Sequence, residues 1–109
     1  MIRINNKHLP PKGFVALTAW PLLFVRREYL PLSARTLRHE YIHARQQAEM
    51  GIVPFFIWYG AEWLIRRLFL RGNAYRNISF EREAYANEGN ERYLQTRKAF
   101  AWINYLKEA

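Results

Sequence analysis

At 109 residues, half of them hydrophobic and 17% aromatic, the chain is long enough for one compact core and too apolar for a disordered segment. It has no cysteine, which excludes a disulfide framework and any thiolate metal site and leaves His and carboxylate as the ligands for a metal. The formal charge of +8 is concentrated in the first eighty residues, because residues 81–109 carry five basic and five acidic groups.

Such a balance permits contact with nucleic acid or an anionic membrane, and it equally describes a domain with Arg-rich solvated helix faces. The expected organisation is a single domain over residues 1–109. The lack of cysteine fits a reducing compartment, so the expected location is cytoplasmic, with peripheral contact to a membrane left open.

Residues 1–13 are polar and end in Pro10-Pro11-Lys12-Gly13, which forbids a helix there. The apolar run Phe14 to Val25 follows Arg3, Lys7 and Lys12, as in a secretory leader, but it contains Pro21, meets Arg26-Arg27 at once and shows no small-residue cleavage site. It is also too short to span a bilayer. The expectation is a chain without leader or spanning helix. FVALTA and LLFVRR are predicted as two strands turning at Trp20-Pro21, a hairpin or the edge of a small sheet, with one strand covered on both faces.

Ser33 is placed to cap a helix from Ala34 to Met50. Leu37, Tyr41, Ala44 and Ala48 form its expected inner stripe, and Gly51 ends it. A second helix begins at IVPFFIWYGAEWLIRRLFL, with Pro54 in its first turn. Glu62, Arg66 and Arg67 interrupt it, so a core helix is expected rather than a membrane-interfacial one. Arg71-Gly72-Asn73 reads as a turn, and Ser79 as the cap of a third helix running to the C-terminus with a break at Gly89-Asn90. Strands first and helices after give an α+β fold, mostly helical. The aromatic stretch Phe100 to Tyr105 is expected to pack on the core, with self-association as the other use of such a tail.

The chemistry lies in the first long helix, in Arg38-His39-Glu40-Tyr41-Ile42-His43. Residues four apart share a helix face, so His39 and His43 can direct two imidazoles at one ion, while Glu40 stands to the side as a base. Two His and a Glu in this spacing suit zinc and the deprotonation of a zinc-activated water. Three protein ligands are needed. His8 lies in the polar leader and reads as a bystander, which leaves a carboxylate, with Glu81 and Glu83 at the start of the last helix as candidates. Acidic residues in a first turn also favour the helix dipole without any metal.

HEYIH followed by EREA resembles the gluzincin metallopeptidases, and the small size resembles their single-domain minigluzincin members. The resemblance covers Ser33 to about Asn90. It implies His39, His43 and Glu81 as the metal ligands for Zn2+, Glu40 as general base, and no ligand role for Glu83. Relatives carry an Asp one turn after the ligand Glu to orient the first histidine; Tyr85 stands at that place here. Tyr75, just upstream of the glutamate helix, is nominated as the oxyanion donor. The function implied is hydrolysis of a peptide or unfolded protein, with the substrate paired along an edge strand at residues 22–27.

Two other readings stand beside it. One is a basic helical module meeting nucleic acid or an anionic membrane through Arg26, Arg27, Arg35, Arg38, Arg66, Arg67 and Arg71. The other is a zinc protein without turnover.

Overall fold

A computed structural model describes residues 1–70 and 72–106. Arg71, placed above in a turn and in the basic set, and the last three residues of the expected C-terminal helix lie outside the described residues. Three strands come first, β1 (Ile2–Asn6), β2 (Ala16–Ala19) and β3 (Leu22–Arg26), followed by helices α1 (Ala34–Met50), α2 (Ile52–Phe69), α3 (Ala74–Asn77), α4 (Ser79–Asn87) and α5 (Tyr93–Thr96). A 3-10 turn spans Ala101–Tyr105. The fold is α+β and mostly helical, as the order of elements implies.

β2 and β3 form the expected antiparallel pair, turning at Trp20 and Pro21. The polar leader adds a strand that its composition hides: β1 runs parallel to β3, Ile2 facing Leu22 and Asn6 facing Arg26. The sheet order is therefore β1-β3-β2, and β3 is the central strand. That explains the near-continuous apolar run of LLFV, with Leu23 and Val25 buried. The expected substrate-docking edge at residues 22–27 is corrected by the same order. Both sides of β3 are paired, and the free edge beside α1 belongs to β2.

α1 begins and ends where the sequence places it. Ser33 accepts a hydrogen bond from the Thr36 backbone N–H, and Gly51 closes the last turn with its N–H on Gln47 O at 2.8 Å and redirects the chain at φ 84°, a positive value that glycine adopts without a Cβ clash. Its inner face differs from the predicted stripe. Tyr41 and Ala48 are exposed and Leu37 is half-buried, whereas His39, Glu40, His43, Gln46 and Gln47 are buried beside Ile42 and Ala44. Polar side chains occupy the interior because each finds a partner there, which removes the cost of burying them.

α2 is also corrected in kind. Only Phe55 and Arg66 are buried along it, so it is a surface helix resting on one narrow line, not a core helix. The core lies where Phe55, Ile78, Phe80 and Trp102 meet. Trp102 reaches it from the 3-10 turn, its ring 4.7 Å from Phe80 and 5.4 Å from Trp58, so the expected packing of the aromatic tail holds for Trp102, whereas Phe100 and Ile103 stay exposed. Ser79 opens α4 as a helical residue rather than its cap. Glu62 of α2 takes the capping role, accepting from the Ser79 backbone N–H at 2.9 Å and from its hydroxyl. After α4 the chain turns at Glu88 to Asn90, the break expected at Gly89-Asn90, but the helix expected to run on to the C-terminus does not resume: among the described residues only the single turn of α5 and the 3-10 turn follow.

Among the described residues no helix is long and apolar enough to cross a membrane.

Candidate metal centre

α1 and α4 cross so that His39 and His43 face Glu81. His39 Nε2 lies 3.0 Å from Glu81 Oε1, His43 Nε2 lies 3.2 Å from the same oxygen, and the two Nε2 atoms are 3.2 Å apart. One ligand atom from each of the three side chains falls within 4.8 Å of the others, and all three residues are buried. Two imidazoles and one carboxylate at this separation are within metal-binding distance. Glu83, the other candidate carboxylate, points away into a cluster with Arg97, and His8 is exposed in the loop after β1.

Each ligand group is held from behind. The Gln46 amide nitrogen faces two acceptors, Phe80 O and Glu83 Oε1, both at 3.0 Å. Its oxygen therefore points to His43 Nδ1, 2.8 Å away, and that nitrogen carries the hydrogen. In the neutral ring, the form that can bind a metal, the lone pair of His43 is thus on Nε2, aimed at the centre. His39 Nδ1 lies 2.9 Å from Glu88 Oε1, and Arg38 fixes Glu88 by donating to its backbone oxygen at 2.6 Å. Tyr59 donates its hydroxyl to Glu81 Oε2 at 2.8 Å. Such partners set ring orientation and ligand basicity.

Glu88 corrects the role offered to Tyr85. The ring of Tyr85 sits edge-on to His39 at 4.6 Å and under the Arg76 guanidinium at 4.0 Å, while the orienting carboxylate arrives later, seven residues after Glu81. That spacing is two helical turns on one face and was a readable signal. Gln46 stands three residues beyond His43, also readable in principle. Tyr59 comes from α2 and no local pattern marks it.

Replacing Gln46 by leucine keeps the volume and removes the bond to His43 Nδ1. The expected result is a loss of divalent-metal affinity of about 10- to 100-fold in competition with a chelator, with the circular-dichroism spectrum retained.

Glu40 lies beside the cluster under the sheet. Thr18 of β2 donates its hydroxyl to Glu40 Oε1 at 2.9 Å. Burial raises the Glu40 pKa above the ordinary carboxylate value, with His43 and His39 opposing the rise. Burial also works against charge on the other two groups, yet their proximity prevails. The Glu81 carboxylate lifts His43 to about 9, and His43 with His39 holds Glu81 well below its usual range. Tyr75 is pushed up by burial and by Glu81.

Two cavities open on the cluster. One, of about 320 Å³, is bounded by Pro11, Phe14, Leu17 and Thr18 on one side and by Phe55, Phe56 and Trp63 on the other, with Glu40, His43 and Glu81 at its floor. The second, of about 300 Å³, reaches His39, Glu40 and Glu88 past Val15 and Ala16. Tyr75 lines both, so the nominated residue stands where the two halves of the cleft meet.

The edge of β2 borders the cleft. Val15 O accepts from Arg26 N, so alternation turns Ala16, Thr18 and Trp20 outward. Gln47 of α1 occupies two of these outward groups, donating to Thr18 O at 2.7 Å and accepting from Trp20 N at 2.7 Å. The N–H and C=O of Ala16 and the N–H of Thr18 remain directed at the cleft.

Among the described residues the arginines of the basic-module reading do not form one stripe. Arg26 and Arg66 are buried, Arg26 donating to Pro10 O and to Glu28, and Arg38 is engaged with Glu88.

Compared with protein-family models, curated proteins and solved structures, the chain gives no significant match.

Proposed function

We propose that this protein is a zinc-dependent peptide hydrolase of gluzincin type. The observation that carries the reading is the convergence of His39, His43 and Glu81, with Glu40 alongside, at the floor of a cleft bordered by a free strand edge. The donor set suits zinc: two imidazole Nε2 atoms and a carboxylate oxygen, each backed by a hydrogen-bonding partner. Soft ligands are absent and hard cations prefer all-oxygen cages.

Zinc held there supplies Lewis acidity, polarising a substrate carbonyl and bringing the pKa of water toward about 7. The remaining work falls to the chain itself. Glu40, raised by burial and steadied by Thr18, accepts a proton from the attacking water and delivers it to the departing amide nitrogen. Tyr75, a phenol kept protonated at neutral pH, is assigned to donate a hydrogen bond to the oxygen on which charge develops.

A peptide in extended form pairs with Ala16 and Thr18 on the β2 edge, the mode in which main-chain groups give affinity. Because Gln47 occupies the edge beyond Thr18 O, that pairing is short. The walls of the larger cavity, Phe14, Leu17, Phe55, Phe56 and Trp63, suit a bulky apolar side chain next to the scissile bond.

The test is cleavage of an unstructured, internally quenched peptide library by the zinc-loaded protein. The expected result is cleavage beside apolar residues, abolished by Glu40→Gln. A zinc-loaded wild type that leaves every peptide intact would contradict enzymatic turnover while leaving metal binding standing.

A further inference from the structure

α2 carries an apolar surface that the site does not use. Val53, Ile57, Leu64 and Leu68 recur along one face and are 68%, 68%, 50% and 63% exposed, and Phe69 is 77% exposed. Eighteen residues make a rod of about 27 Å, and among the described residues its one exposed charge is Arg67. A continuous apolar face of this kind marks an interaction surface. Around the rest of the molecule the charge is one-sided. Glu28 and Glu91 are the only exposed carboxylates among the described residues, whereas Arg3, Lys7, Lys12, Arg27, Arg67 and Arg76 are exposed.

We propose that α2 docks flat on an anionic lipid bilayer. The helix does not span, since none of the described helices is long and apolar enough. It lies in the interface plane, its aliphatic stripe in the acyl boundary and Trp58 and Trp63 at headgroup level, 43% exposed each. Arg67 on the helix, and the exposed Lys12 in the loop whose Pro11 and Phe14 face Phe56 and Trp63 across the cleft, meet the lipid phosphates. A second copy on the same face is disfavoured, because it brings together two chains of formal charge +8. Nucleic acid is disfavoured because the face presents alkyl and aryl groups rather than a basic stripe. Since Phe56 and Trp63 belong both to this helix and to the cleft, docking places the mouth of the cleft against the bilayer surface.

The experiment is co-sedimentation of the full chain with vesicles of phosphatidylcholine alone and of equimolar phosphatidylcholine and phosphatidylglycerol. The expected result is partitioning at least about tenfold stronger into the anionic vesicles, weakened by added salt. The combined substitution Ile57→Ser, Leu64→Ser and Leu68→Ser is expected to reduce partitioning roughly a hundredfold. Arg67→Glu, one exposed charge that leaves the apolar face intact, is expected to weaken binding several-fold on anionic vesicles only. The proposal is overturned if the wild-type chain stays in solution with anionic vesicles, or if both variants partition like wild type. It is also overturned if sedimentation equilibrium without lipid shows a dimer that the serine substitutions dissolve while lipid binding is absent.

Discussion

Glu40→Gln is expected to lower peptide hydrolysis by about two to four orders of magnitude, the usual worth of a positioned general base, while leaving metal content unchanged. The substitution is nearly isosteric, and the hydrogen bond from Thr18 to the side-chain oxygen can persist. What disappears is the capacity to take up a proton at a site bordered by Thr18, His43 and Tyr75 in the cleft. Steady-state kinetics on the best library peptide, with zinc measured on the same preparation, separates the outcomes. A large fall in kcat with full metal occupancy fits the assignment. Undiminished kcat would require another base, and loss of metal would turn Glu40 from a base into part of the structural support of the centre.

The second large effect concerns stability. Glu83 is fully buried and accepts from Arg97 Nε at 2.5 Å, from Arg97 Nη2 at 3.1 Å, from Tyr93 at 2.7 Å and from Gln46 at 3.0 Å. Arg97, its side chain 1% exposed, also reaches Glu49 at 2.8 and 3.1 Å. Removing one partner of a buried ion pair costs up to about 3–5 kcal/mol; Arg97 keeps Glu49, so the loss lies toward the lower end of that range, with the Tyr93 hydroxyl left without its acceptor as well. Against a total stability on the order of 5–15 kcal/mol, Glu83→Ala is expected to move the urea midpoint far toward zero. The same change deprives Gln46 of one of its two acceptors and so loosens His43. A midpoint shift worth less than about 1 kcal/mol would mean that water reaches the pair and that Glu83 does not support the centre.

Several features follow from local chemistry and were legible in the sequence. The bounds of α1 come from a capping serine and a glycine at positive φ, both acting over a few residues. The two histidines share a face because helical geometry leaves no other arrangement. The strand pair breaks at Trp20-Pro21 for equally local reasons.

What was not legible depends on distant partners. The inner face of α1 departs from its apolar stripe because hydrophobic periodicity assumes apolar interiors, and here Gln46 and Gln47 are inside, bonded to Phe80, Glu83, Thr18 and Trp20. β1 was hidden because a polar edge strand, exposed along most of its length, carries little hydrophobic signal, and its parallel pairing with β3 is non-local. Tyr85 was offered the place of an orienting carboxylate on register alone, whereas Glu88 meets His39 because the chain leaves α4 there and Arg38 holds it. The apolar composition of α2 suggested burial, but composition does not reveal how much surface the remaining chain can cover.

None of this chemistry is available unless two imidazoles and one carboxylate hold a single ion. Native mass spectrometry of the purified wild-type chain, beside Glu81→Gln, measures that directly. The prediction is one zinc per chain in wild type and a marked loss in the variant. Wild-type protein without bound metal after zinc is offered, or equal zinc in both proteins, would contradict it.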